Sequence, residues 1–181
     1  MEKLLLIDGN SLLNRAFYAF GGGGAFLSYN GAPTNATYGF LNMLIKGLED
    51  IKPTHVVVAF DVKAKTFRHE MYDGYKAHRG GMPDDLAVQL PILKELLAAL
   101  GYKIIELESY EADDILGTIA RAAAERNVSC VVATGDKDSF QLVGGSTTVR
   151  LAFTKGGRAQ SEHIYVVACG AECEWGEKCG V

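Results

Sequence analysis

The chain has 181 residues, 48% of them apolar, and a formal net charge of −4. This is enough for one globular domain, and it excludes collagen-like, coiled-coil and disordered chains. The balance of 18 Lys and Arg against 22 Asp and Glu lacks the basic surplus that usually marks a nucleic-acid binder, so the placement of the acids has to carry any functional reading.

Lys3–Ile7 is a short branched apolar run that reads as a buried parallel strand, and Asp8 ends it. The run is too short for a signal sequence, and no apolar stretch approaches the length of a membrane span, which implies a cytoplasmic chain with reduced cysteines. Gly21–Gly24 reads as a loop, and not as a phosphate-binding P-loop, because no Gly-Lys-Ser/Thr follows it. Thr34–Asp50 sets Phe40, Leu41, Leu44, Ile45 and Leu48 at helical spacing. His55–Phe60 is a second strand, ending in Asp61, and Val62–Pro83 is a polar insertion too long for an ordinary connection. Asp84–Leu100 reads as a helix kinked or restarted at Pro91 and stopped by Gly101. Lys103–Glu106 is a shorter strand. Glu111–Arg126 is a helix that buries Ile115, Leu116 and Ile119. Ser129–Thr134 is a strand holding Cys130 as an inert core residue, followed by Gly135-Asp136 and then Asp138.

Thr147–Phe153 reads as an edge strand, and no element is predicted from Lys155 to Val181. The alternation of strand and helix predicts an α/β fold with a mostly parallel sheet, its core over 1–153 and a tail over 154–181. In the tail, Cys169, Cys173 and Cys179 follow His163, but the spacing C-x3-C-x5-C lacks the close pairs of structural zinc sites. Free thiols are the plainer reading.

In a parallel sheet the strand ends that carry Asp8, Asp61 and Asp136 share one edge, the edge where α/β sheets bind ligands. Glu111, Asp113 and Asp114 open the helix after the shorter strand and should reach the same edge, as should Asp138. Each acid alone has another explanation, as a helix cap or a partner of the helix dipole. Seven together would repel strongly in a partly desolvated cleft, so either several are protonated or cations sit among them. Oxygen ligands without His or Cys favour Mg²⁺ or Mn²⁺ over zinc, and two such ions activate water and stabilise a leaving oxygen in phosphodiester cleavage.

The insertion carries the opposite sign. From Lys63 to Arg79 stand five cations (Lys63, Lys65, Arg68, Lys76 and Arg79) and two acids, Glu70 and Asp73. If the segment is helical, Arg68, Tyr72, Tyr75, Lys76 and Arg79 share one face. Such a face suits single-stranded nucleic acid, by base stacking and phosphate pairing; a solvated amphipathic helix is the alternative.

Ile7-Asp8-Gly9-Asn10, Gly31-Ala32-Pro33-Thr34-Asn35-Ala36, Ala59-Phe60-Asp61, Phe67-Arg68-His69-Glu70, Tyr75-Lys76-Ala77, Tyr110-Glu111-Ala112-Asp113-Asp114 and Thr134-Gly135-Asp136-Lys137-Asp138 occur in this order. Together they resemble the 5′ nuclease domains of bacterial DNA polymerase I, within the flap endonuclease family, over nearly all of the chain to about Phe153. The resemblance implies a twisted, PIN-like α/β domain with a helical arch over 62–83. It also implies 5′→3′ exonuclease and flap cleavage of DNA with two Mg²⁺ or Mn²⁺ ions and water as the attacking group. Asp8, Asp61, Glu111, Asp113, Asp114, Asp136 and Asp138 match the family's metal-site acids. Arg68, Tyr72, Tyr75, Lys76 and Arg79 match its DNA-contacting arch, with Lys76 and Arg79 also in catalytic roles. The implied partners are DNA with 5′ ends or flaps and a polymerase domain in the same or another chain; the chain is expected to act as a monomer.

The family pattern continues into a Gly-Asp…Ser-Asp-Asn segment with two further aspartates and a helix–hairpin–helix element, neither of which this sequence contains. The expectation is therefore one well-formed metal site, a weaker second one, and weak or absent turnover. Two other readings remain, a PIN-like ribonuclease and a non-catalytic DNA-structure-binding module. A phospho-receiver domain would leave the insertion unexplained.

Overall fold

The computed structural model describes residues 2–19, 28–62, 64, 66–72, 75, 80–155 and 158–164, and for 153–164 the backbone alone. The chain opens with β1 (Lys3–Asp8), α1 (Gly9–Ala19), a small hairpin of β2 (Ser28–Tyr29) and β3 (Ala32–Pro33), α2 (Asn35–Ile51) and β4 (His55–Ala59). It continues through α3 (Phe67–Met71), α4 (Asp84–Ala87), α5 (Gln89–Ala99), β5 (Lys103–Ile105), α6 (Ala112–Glu125) and β6 (Ser129–Thr134). A 3-10 turn (Lys137–Leu142), β7 (Thr147–Lys155) and β8 (Arg158–Ile164) complete it.

The main sheet has the order β5-β4-β1-β6-β7-β8. The first five strands run parallel, and β8 joins antiparallel to β7. The predicted α/β fold with a mostly parallel sheet is thus what the chain forms. Strand alternation splits the core between two faces. Leu5 and Ile7 pack with Leu13, Phe17, Phe40, Leu93 and Leu97 from α1, α2 and α5, while Leu6 packs with Leu116, Ala120, Cys130 and Val132 on the α6 side. Cys130 is fully buried, and burial pushes its thiol up to about 11, which fits the inert core residue expected of it.

Several elements differ from the sequence reading. Helix α1 was not anticipated, although Leu12, Leu13, Ala16 and Phe17 form its buried face. The expected restart near Pro91 is present but falls slightly earlier: α4 ends at Ala87 and α5 begins at Gln89, which puts Pro91 in the first turn of the restarted helix, where a missing N–H costs nothing. Thr147–Phe153 is not an edge strand. It lies in β7, which β8 covers, so a strand runs where 155–164 was read as featureless. Its signal was the Gly-Gly at 156–157 between two strand-length runs, a hairpin cue.

The predicted cationic-aromatic helix face is also corrected. Helix α3 is only five residues long with none buried, and Tyr72 caps it in an extended conformation (φ −151°, ψ 109°). So short a helix has no apolar face to hold it and cannot propagate on its own. Lys63, Lys65, Lys76 and Arg79 lie outside the described residues, as do Gly21–Gly24, Cys169, Cys173 and Cys179.

The start of α2 is held from a distance. Thr34, its N-cap, makes no side-chain cap bond. Instead the fully buried Gln89 accepts from the N–H groups of Ala36 (2.9 Å) and Thr37 (3.1 Å), and donates to Asn35 Oδ1 (2.9 Å) and the Asp85 carbonyl (2.7 Å). Gln89→Leu keeps the volume but leaves two buried N–H groups without acceptors. It is expected to lower the unfolding free energy by about 2–3 kcal/mol, read as a lower urea midpoint with an unchanged slope.

Candidate active site

The chain builds outward from β1 to β4 and β5, then returns to the other side of β1 as β6. The strand order therefore reverses at β1, and the crevice beyond the carboxyl ends of β1, β4 and β6 is where open α/β sheets take their ligands. A cavity of about 440 Å³ lies there, and Asp8, Asp61, Glu111, Asp113 and Asp136 all line it. Five of the seven predicted acids are thus brought together. Asp114 and Asp138 are not among the lining residues. Asp114 is turned toward Arg68, and Asp138 is exposed in the 3-10 turn.

Asp8 is the last residue of the central strand and only 5% exposed. Its Oδ1 accepts from the Ser11 N–H (3.0 Å), capping α1, and its Oδ2 accepts from the Thr134 hydroxyl (2.9 Å). Thr134 Oγ1 in turn accepts from the Asp136 N–H (3.0 Å), so one hydroxyl links the ends of β1 and β6. Burial pushes the Asp8 carboxyl up to about 7. The two hydrogen bonds oppose that rise, and the charges of Asp113 and Asp61 add to it.

Asp61 bridges two helices. Its Oδ1 accepts from the Ala112 N–H at the start of α6 (2.7 Å), and its Oδ2 from Asn10 Nδ2 in α1 (2.9 Å). Positive helix ends and backbone donors together stabilise a carboxylate in this position. Asp136 caps the 3-10 turn by accepting from the Asp138 N–H (3.0 Å).

Glu111 is the N-cap of α6 and is 8% exposed. Its backbone N–H donates to Asp114 Oδ2 (3.0 Å), and its own Oε2 accepts from the Tyr75 hydroxyl (3.1 Å). Arg68 forks onto Asp114, with Nη1 to Oδ2 and Nη2 to Oδ1 both at 2.7 Å, and Nη1 lies 3.6 Å from Glu111 Oε2. The Asp114 contact holds the guanidinium proton even more tightly than usual. Tyr72 is 68% exposed.

Two glycines make the crevice possible. A Cβ on Gly9 would sit 2.4 Å from the Phe60 ring, and one on Gly135 would sit 2.5 Å from Arg15 Cγ. Gly135 lets α1 close over β6, where Arg15 donates to the Gly135 carbonyl (2.8 Å) and Ser11 Oγ accepts from its N–H (3.0 Å).

Sequence reasoning missed the residues α1 brings to the cleft, namely Asn10, Ser11, Asn14, Arg15 and Tyr18. The available signal was Asp8 itself, a good N-cap, three residues before Ser11 and an apolar face of Leu12, Leu13, Ala16 and Phe17.

The donor set suits a hard divalent cation, because it is all oxygen and includes a desolvated carboxyl crowded by two neighbours. The buried Asn10 Oδ1 has no hydrogen-bond partner among the described residues and adds one more oxygen beside Asp61. Among the described residues no three acidic, His or Cys side chains are already gathered into a coordination sphere, so the arrangement is an open cleft of donors.

The raised Asp8 carboxyl makes a testable prediction for the metal-free protein. The folded state holds its proton up to about pH 7, whereas the unfolded chain releases it near 3.8. Between these values the native state binds more protons, so this group's contribution to stability is lost as pH rises through the window. In EDTA, Asp8→Asn is expected to flatten the fall in melting temperature between pH 4 and pH 7.5. Parallel profiles for the two proteins would refute it.

Comparison with known proteins follows the same lines. A family model described as "5′-3′ exonuclease, N-terminal resolvase-like domain" matches residues 3–168. DNA polymerase I of Caldicellulosiruptor bescii is 43% identical over 153 residues, which cover 84% of this chain and 18% of that protein. DNA polymerase I of Bacillus subtilis is 48% identical over 151 residues, covering 83% and 17%. The chain therefore spans less than a fifth of the length of these curated relatives.

Among solved structures, a mutant of the T5 5′-exonuclease matches with a TM-score of 0.60 at 15% identity, covering 82% of this chain and 49% of that one. The bacteriophage T5 flap endonuclease, in a pseudo-enzyme-product complex with DNA and metal ions, matches with a TM-score of 0.60 at 17% identity, covering 82% and 54%. At these identities the likeness shows the fold.

Proposed function

The chain belongs to the family of 5′-3′ exonuclease N-terminal resolvase-like domains, and from that premise we propose that it hydrolyses DNA phosphodiesters at 5′ ends and flaps with divalent cations. The observation that carries this reading is the meeting of Asp8, Asp61, Glu111, Asp113 and Asp136 around one cleft at the switch point of the sheet. These five acids would hold the ions, with Mg²⁺ or Mn²⁺ the fitting choice for hard oxygen donors. Bound there, such ions supply a water of lowered pKa and positive charge at the leaving oxygen.

The chain's own residues do the rest. Asp61 fixes the starts of α1 and α6 relative to each other, so the acids on β1 and α6 keep their spacing. Asp8 is oriented by Ser11 and Thr134, and the Thr134 hydroxyl places Asp136 beside it. Arg15, at the rim, offers a cation to an incoming phosphate, and Tyr18, 63% exposed, offers a face for a base. Lys76 and Arg79 are proposed to contact the scissile region from 62–83. No helix among the described residues is long and apolar enough to cross a membrane. We place the protein in the cytoplasm, acting as a monomer on DNA beside a polymerase domain.

Incubation of the chain with a labelled 5′-flap DNA tests the reading. Weak cleavage is expected in Mg²⁺ or Mn²⁺; it should stop in EDTA and fall on the order of 10²-fold or more in Asp136→Ala, the scale of removing one preorganised charge-stabilising group. Cleavage of the matching RNA in place of DNA would overturn the substrate assignment. Binding without cleavage in either metal would overturn the enzymatic one.

A further inference from the structure

We infer that Arg68 is a positioning residue for the metal-site end of α6, and not a contact to nucleic-acid phosphate. This rests on the metal-dependent reading above. The sequence alone places Arg68 among the cations of the insertion. The structure gives it a different partner: the guanidinium reaches 46 positions along the chain and forks onto both oxygens of Asp114 at 2.7 Å.

The fork meets the site through two routes. Asp114 Oδ2 also accepts from the Glu111 N–H, so the carboxylate that Arg68 grips is the one that pins the N-cap of α6. Arg68 Nη1 also lies 3.6 Å from Glu111 Oε2, the oxygen that Tyr75 donates to. A backbone bond from the Phe67 N–H to the Ser109 carbonyl (3.0 Å) fixes the start of α3 against the loop before α6, so the arginine is delivered from a tethered base.

A charge argument points the same way. Glu111, Asp113 and Asp114 stand within four residues at one helix end. Two of them, Glu111 and Asp113, line the cleft; the third does not. Pairing Asp114 with a guanidinium offsets one of three mutually repelling charges and leaves Glu111 and Asp113 to line the cleft, where an ion would be held. A bidentate fork also fixes direction, which a lysine ammonium cannot do. To bind a phosphate in the same bidentate way, Arg68 would have to give up both of its bonds to a part-buried carboxylate beside Glu111. Residues that orient metal ligands without touching the metal typically change its affinity 10–100-fold when removed.

The test separates the two roles by using the whole chain and two readouts. Mn²⁺ binding is followed by electron paramagnetic resonance without DNA, and flap-DNA binding is followed in EDTA as a function of salt. Arg68→Ala and Asp114→Asn are each expected to weaken Mn²⁺ binding by roughly 10–100-fold, the double variant no further than the worse single one, and Arg68→Lys should not restore it. The salt slope of DNA binding should be the same in all of them. Thermal melts check folding. If Arg68→Ala fails to fold, Arg68→Lys and Asp114→Asn carry the test.

Unchanged Mn²⁺ affinity, or a salt slope reduced by about one with rescue by Arg68→Lys, would identify a phosphate contact and overturn the inference. A parent chain that binds no Mn²⁺ would overturn the metal-dependent reading as well, whereas normal binding by the parent and all variants sinks this inference alone.

Discussion

Asp8 is a carboxylate at the end of the central strand with almost no access to water, and the rest of the sheet edge is arranged around that constraint. A buried carboxyl has to be hydrogen-bonded, protonated or paired with a cation. Here the first device is used twice, through Ser11 and Thr134, and burial still lifts its pKa to about 7. Those two bonds join β1 to α1 on one side and to β6 on the other. The interactions that assemble the sheet at its switch point are therefore the ones that set the electrostatics of the cleft.

The remaining acids are treated differently according to where they sit. Asp61 receives a backbone N–H from α6 and a side-chain amide from α1, so it acts as a strut between two helices. Asp114 receives a guanidinium and a backbone N–H and is withdrawn from the cleft. Glu111 sits between these cases, held by Tyr75 and approached by Arg68. A cluster of like charges is tolerated here in part because Asp8, Asp61, Glu111 and Asp114 are each stabilised by donors from another element. The acids therefore keep separate positions around an open cavity and do not collapse onto one another.

Much of this was legible in the sequence wherever local pattern decides structure. The branched apolar runs of β1, β4 and β6 are bounded by Asp8, Asp61 and Asp136, and parallel pairing then forces those ends onto one edge. Helix α1 was harder to see, because Gly9 in its first turn reads as a breaker until the Phe60 ring that occupies its missing Cβ is known. The helical face proposed for Arg68, Tyr72 and Tyr75 failed because spacing alone cannot say that a segment has no core to pack against. The Arg68–Asp114 fork and the Gln89 cap of α2 join residues 46 and more than 50 positions apart. Each looks like an ordinary surface residue in sequence, and only the tertiary fold gives it a partner.

The net charge of −4 is accounted for by the same geometry. Charge averaged over a chain predicts its solubility and non-specific attraction, and says little about a site where the sign changes over a few ångström. Five carboxylates face the cavity, while Arg15 stands at its rim and Arg68 is spent on Asp114. For the proposed reaction this arrangement matters. A phosphate entering the cleft finds the exposed Arg15 among the lining acids, whose sign bound ions would reverse. An acidic chain can in this way present an anion-attracting cleft without a basic surplus, provided the acids are sequestered at one strand edge.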